Sequence, residues 1–175
     1  ATGSYNTFVG RSAGQGGTTG APFSSGQNNT AVGYQALDAF TTANNNTALG
    51  YTALSGVTTG GSNTAIGHRA GERITTGGYN VAIGDLALWG NANAGSHNIA
   101  IGYYAGGQIT GSDMGIYIGR EAGQYLTNEV NNVAIGYAAL SWTGQYGTGA
   151  NDNTAVGYHA GNYSQGTQNT FIGFS

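Results

Sequence analysis

One short phrase recurs along nearly the whole chain, and that recurrence limits the possible folds more than any other feature of the sequence. Asn29-Thr30-Ala31-Val32-Gly33-Tyr34-Gln35-Ala36-Leu37 returns as Asn46-Thr47-Ala48-Leu49-Gly50-Tyr51-Thr52-Ala53-Leu54, and shorter forms continue to Asn169-Thr170-Phe171-Ile172-Gly173. Ten copies can be aligned on a motif glycine at positions 10, 33, 50, 67, 84, 102, 119, 136, 157 and 173. The nine spacings are 23, 17, 17, 17, 18, 17, 17, 21 and 16. A period near 17 is too short for a repeat made of helix pairs and fits one coil of a solenoid. The fold class expected is all-β: a parallel β-solenoid, or β-roll, of about ten coils. Stacked at the inter-strand distance, ten coils would make a rod roughly 45–50 Å long.

Within each copy the strand alternates. Thr, Val or Ile and then Val, Leu or Ile point one way, while Ala and Gly point the other. The branched face is expected to fill the lumen. The small face then permits close approach of another backbone, from the opposite wall or a neighbouring chain. After the glycine come a mostly aromatic or charged position, a freely varying position, an invariant Ala, and Leu or Gly. The varying column (Ser12, Gln35, Thr52, Arg69, Leu86, Tyr104, Glu121, Ala138, His159) reads as solvent-facing. Phe40-Thr41, Val57-Thr58, Ile74-Thr75, Ile109-Thr110 and Leu126-Thr127 share one offset and suggest a second short strand with one buried residue per coil. Longer inserts near 15–28, which holds the only proline (Pro22), and near 141–152 are expected to be loops. They leave neighbouring coils in register, so residues 1–175 form a single repeat domain.

Composition removes most chemistries. The 175 residues include 34 Gly, no Cys, no Lys and only 4 Arg, with a net charge of −3. Disulfides, thiol nucleophiles, Cys-ligated metals and Schiff-base chemistry are excluded. Four scattered arginines do not make a nucleic-acid surface. No apolar run approaches the ~18 residues of a membrane span, so no membrane insertion is expected. Because the chain begins at Ala1, it is expected to be processed or part of something longer.

Nine copies begin with Asn, and stacking places these side chains in one column. Asn29, Asn46, Asn63, Asn80, Asn98, Asn132 and Asn153 are expected to form a structural ladder of amide hydrogen bonds. The position after the glycine runs Arg11, Tyr34, Tyr51, His68, Asp85, Tyr103, Arg120, Tyr137, Tyr158, Phe174. Its tyrosines, Tyr34, Tyr51, Tyr103, Tyr137 and Tyr158, are the candidate binding residues, as an aromatic column for sugar rings. The alternative is that they only stabilise the sheet edge. His68 and Asp85 should be neighbours and form a surface ion pair. The seven acids do not pair at recurring offsets, so no catalytic residue, metal site or cofactor is assigned and an enzyme is not expected. Asn151-Asp152-Asn153 offers one carboxylate, too few for calcium.

The Asn-Thr-Ala-Val/Ile-Gly-Tyr-x-Ala-Leu/Gly phrase resembles the head repeat of trimeric autotransporter adhesins, a left-handed parallel β-roll. It also resembles tail-fibre and appendage repeats of bacteriophages and bacteria. The resemblance covers nearly the whole chain, although its period is longer than that of the adhesin heads. It implies an extracellular, cell-surface or virion fibre segment, usually a homotrimer. The ends carry Phe8 and Phe171 where most copies have Ala, and neither has a polar capping coil. The partner expected is therefore a further copy of the chain, beside it or stacked on its end. The leading expectation is a structural fibre or filament segment with adhesin-like character. A module binding cell-surface glycan is the alternative. Ice binding through Thr18-Thr19, Thr41-Thr42, Thr58-Thr59 and Thr75-Thr76 stands behind both.

Overall fold

In the computed structural model, which describes residues 3–17, 24–90, 95–142 and 149–175, the chain is an all-β parallel solenoid with a repeat near 17 residues. Each repeat contributes one strand of three residues. They are β1 (Thr7–Val9), β2 (Thr30–Val32), β3 (Thr47–Leu49), β4 (Thr64–Ile66), β5 (Val81–Ile83), β6 (Ile99–Ile101), β7 (Ile116–Ile118), β8 (Val133–Ile135), β9 (Thr154–Val156) and β10 (Thr170–Ile172). They form one parallel sheet in strict sequence order. Register follows the repeat: Thr30 pairs with Thr47, Ala31 with Ala48 and Val32 with Leu49. The long inserts do not disturb it, since Thr7 still pairs with Thr30 and Val133 with Thr154. Residues 18–23 and 143–148 of those inserts, with Pro22 and Thr18-Thr19, lie outside the described residues.

The strand faces the opposite way from the sequence expectation. The central residue points into the lumen: Ala31, Ala48, Ala65, Ala82, Ala100, Ala134 and Ala155 are buried, whereas the branched residues on either side of each are partly or fully exposed. The reason is the width of the coil. Two other walls also fill the lumen: the Leu corner (Leu37, Leu54, Leu88, Leu140) and Phe40, Val57, Ile74, Ile109 and Leu126, all fully buried. Little more than a methyl group then fits from the strand. Where a strand supplies an aromatic, a glycine corner makes room for it, in the same coil for Phe8 and Tyr117 and in the preceding coil for Phe171. A Cβ at Gly14 would strike Phe8, one at Gly123 would strike Tyr117, and one at Gly161 would strike Phe171. Glycine corners also stand beside alanine strands, at Gly71 and Gly106, where Leu54 and Leu88 of the preceding coil reach over them, so volume is shared between adjacent coils, as close packing requires.

The residues at 40, 57, 74, 109 and 126 are buried as expected, but no second strand forms around them. Coils are joined there by isolated bonds, such as Thr41 N–H to Thr58 O at 2.8 Å and Thr58 N–H to Thr75 O at 2.9 Å. Thr110 and Thr127 alone make a bridge among the described residues. The varying column is not solvent-facing either. It is mostly half-buried, with Thr52 and Ala138 buried. It varies because its role is carried by the backbone, which is left-handed at Ser12, Gln35, Thr52, Arg69, Leu86, Tyr104, Glu121, Ala138 and His159. A second left-handed corner precedes the Asn column, with φ from 58 to 64° at ten non-glycine residues from Tyr5 to Gln168. Such corners cost an L-residue roughly 1–2 kcal/mol each, so other bonds must hold them. The motif glycines mark a close approach between coils: a Cβ at Gly50 would land on the carbonyl of Gly67 in the next coil.

Candidate functional site: the outer columns

Backbone bonds between coils hold the corners, as from Gln35 N–H to Arg11 O at 2.9 Å and from Tyr79 N–H to Gly61 O at 3.0 Å, and beside the second corner the asparagines form the ladder read from the sequence. Asn46 is typical. Its Oδ1 accepts from the backbone N–H of Asn63 at 2.9 Å and from Asn63 Nδ2 at 3.1 Å. Its own Nδ2 donates to Asn29 Oδ1 at 3.1 Å and to Gly60 O at 3.0 Å. Asn29, Asn63, Asn80, Asn98, Asn132 and Asn153 are equally buried, and each donates from Nδ2 to a carbonyl on the return side of its coil. The ladder therefore ties the strand to the opposite wall and each coil to the next. It is sealed from solvent, and its groups serve the fold.

The tyrosine column lies outside. Tyr34 and Tyr51 stack with centroids 5.2 Å apart and planes 12° from parallel, and Tyr51 stacks in turn on His68 at 5.4 Å. At the other end Tyr137, Tyr158 and Phe174 form a second stack with 5.0 Å steps. The column is not continuous. His68 Nδ1 and Asp85 Oδ1, 2.8 Å apart and half exposed, interrupt it as the expected surface pair. Arg120 sits between Tyr103 and Tyr137, 5.5 and 5.6 Å from their ring centres. The ring faces are thus covered by neighbours, and what the column offers outward is edges and hydroxyls.

A second aromatic face escaped the sequence reading. Trp142 stacks between Tyr125 at 4.3 Å and Tyr163 at 5.9 Å. Further along, Arg73 lies 4.2 Å from the Trp89 ring centre and Arg69 5.1 Å from it. Arg69 Nε and Trp89 Nε1 both donate to Glu72 Oε2, at 2.7 and 2.6 Å. The signal was present: Arg73, Tyr125, Trp142 and Tyr163 each stand six residues after a motif glycine. This column has no fixed residue type, so repetition did not reveal it. Burial and the neighbouring Tyr104 and Glu121 raise the Tyr125 hydroxyl above its usual pKa.

The largest unexpected surface is the outside of the sheet. Because Ala faces inward, the last strand positions form an outward column: Val9, Val32, Leu49, Ile66, Ile83, Ile101, Ile118, Ile135, Val156 and Ile172. From β5 to β8 the first strand position is also aliphatic, as Val81, Ile99, Ile116 and Val133. Leu49 and Ile101 are 46% and 37% exposed, high values for aliphatic side chains in an ordered sheet. Of the threonine pairs read as a flat array, Thr42, Thr59 and Thr76 are exposed, while Thr41, Thr58 and Thr75 are half-buried, and Thr41 and Thr58 donate their hydroxyls to the next coil's carbonyl. No group of three or more metal-ligating side chains occurs among the described residues. No protein-family model, curated protein or solved structure matches the chain.

Proposed function

We propose that the protein is a structural segment of an extracellular fibre or filament that packs side by side with further copies of itself. The observation that carries this reading is the aliphatic column along the outside of the sheet. A strip about 45 Å long and ~10 Å wide approaches 450 Å², in the range of the largest patch on a typical monomer and often a functional surface. Its side chains repeat once per coil, about every 4.8 Å. An object of the same period fills every rung at once, and a second copy of this chain has that period. The resemblance to trimeric adhesin heads favours three copies about a common axis.

Axial joining is consistent with the same surface chemistry. In each asparagine rung the ladder Oδ1 accepts the backbone N–H of the next, as Asn153 accepts from Asn169 at 2.9 Å, and Asn169 presents the same group at the β10 edge. Phe174 and Arg11 occupy the same outer column at opposite ends, and Arg11 already lies 5.8 Å from the Tyr34 ring centre. The tyrosine column supports glycan binding less well, because a sugar ring needs an aromatic face and these faces are stacked on one another.

Sedimentation of the purified chain, with electron microscopy of the same sample, tests the reading. The expected result is a multimer with lateral contacts. Ile66→Asp combined with Ile101→Asp should reduce it to monomer with an unchanged far-UV spectrum. A wild-type chain that stays monomeric at high concentration overturns the proposal.

A further inference from the structure

One rung departs from the repeat at three places, and all three meet inside the lumen. The Asn column has Gly115, the strand centre has Tyr117 where seven other strands have Ala, and the return side has Glu129. The matching return positions that accept the ladder amides are small: Ala43, Gly60, Gly77, Gly95, Ser112, Ala150 and Gly166. The three changes compensate sterically. A Cβ at Gly115 would fall on the Tyr117 hydroxyl, so that hydroxyl occupies the seat of the missing asparagine side chain. The Tyr117 ring lies between the glycine corners at 106 and 123.

Polar bonding is not restored. Tyr117 Oη and Glu129 Oε2 are both buried without a hydrogen-bond partner. Tyr117 is completely buried and Glu129 is 1% exposed. No cation faces them: Arg120, on the adjoining strand end, is turned outward and pairs with Glu121 at 3.1 Å. From the preceding coil come Ser112 and Asp113, whose carboxylate accepts from Ser96 N–H. From the following coil come Ala150 and Asp152, which accepts from Asn131 Nδ2 at 2.9 Å. Tyr117 is the ionisable group felt electrostatically with Glu129.

We propose that the Tyr117–Glu129 rung is a proton-operated weak point, closed while Glu129 is a neutral acid and loosened locally between β7 and β8 when it ionises. A neutral carboxyl can exchange a hydrogen bond with the phenol at little solvation cost, whereas a buried carboxylate without a cation is disfavoured. Burial raises the Glu129 carboxyl to about 7, against the opposing pull of the backbone N–H groups of Glu129, Thr127 and Ala150. An acid whose folded pKa lies above its unfolded value of about 4.5 stabilises the fold fully below 4.5. That stability is lost as pH rises from there through 7 and does not fall further above it. The ladder on either side confines the opening to this rung, since coils of a solenoid contact only their neighbours.

Thermal unfolding of the wild type and Glu129→Gln from pH 4 to 9 tests this. The wild-type Tm should fall by roughly 5–10 °C relative to the variant across the window from 4.5 to 7.5. The other six acids are common to both chains and cancel. Parallel profiles overturn the proposal. Titration of the Glu129 carboxyl carbon by NMR in the wild type needs no variant to fold. A midpoint of 6 or above supports the weak point, and one at 4 to 5 removes it.

Discussion

The rungs at Asn46, Asn63 and Asn80 and the rung at Gly115 solve the same closure problem with different chemistry. In the first group each coil inserts an amide that bonds in both directions along the stack and across to the far wall, over a lumen closed by alanine and buried aliphatic side chains. At Gly115 an aromatic ring fills the same space, but two polar atoms are left without partners. Steric replacement and polar replacement are therefore separable. A solenoid can exchange volume between walls of one coil and of its neighbours, but an amide that serves three neighbours has no single-residue substitute. The regular rungs hold the stack, and the irregular one can respond to conditions.

Substitutions in the ladder should break this comparison most sharply. Asn46→Ala strands the Asn63 N–H groups and Gly60 O, and should cost about 3–5 kcal/mol in chemical denaturation. Asn98→Ala should cost measurably less, because Asn98 Oδ1 serves only the Gly115 N–H in the rung above. Equal losses would mean that the ladder does not act rung by rung. Next in size is repair of the irregular rung. Gly115→Asn alone collides with Tyr117 and should destabilise by ~2 kcal/mol or more, the cost of overpacking. Gly115→Asn with Tyr117→Ala and Glu129→Gly rebuilds the regular chemistry and should exceed the single variant in stability while losing the pH dependence. A triple variant no more stable than the single one would show that the three departures are not one unit. Smallest is the effect at the strained corner beside this rung. Met114 is exposed with φ 58°, a conformation Asn adopts more readily. Met114→Asn should raise stability by about 0.5 kcal/mol, seen as a slightly higher Tm.

Much of this architecture was legible in residue identities. The Asn column, filled in nine of ten copies, announced a ladder, the invariant Ala column a tight interior, and Phe40, Val57 and Ile74 one buried residue per coil. The left-handed corners were not legible at Gln35, Tyr79 and Leu86, which carry no local preference for that conformation and are held there by bonds from other coils. The Trp89 and Trp142 face was missed for a similar reason: its members belong together in space, while their column has no common residue type. The Tyr117–Glu129 pair was overlooked because each residue reads as an ordinary exception to its own column.

What the amino-acid sequence determined by itself is the period and hence the stack: ten copies of one phrase can bond only to one another, in register. Which side of each strand faces inward was decided by the closed coil. Alternation with period two states that the two faces differ but not which one is inside. The lumen already receives a leucine corner and a third wall, so it admits alanine from the strand, and the branched side chains are turned out to where a partner can cover them.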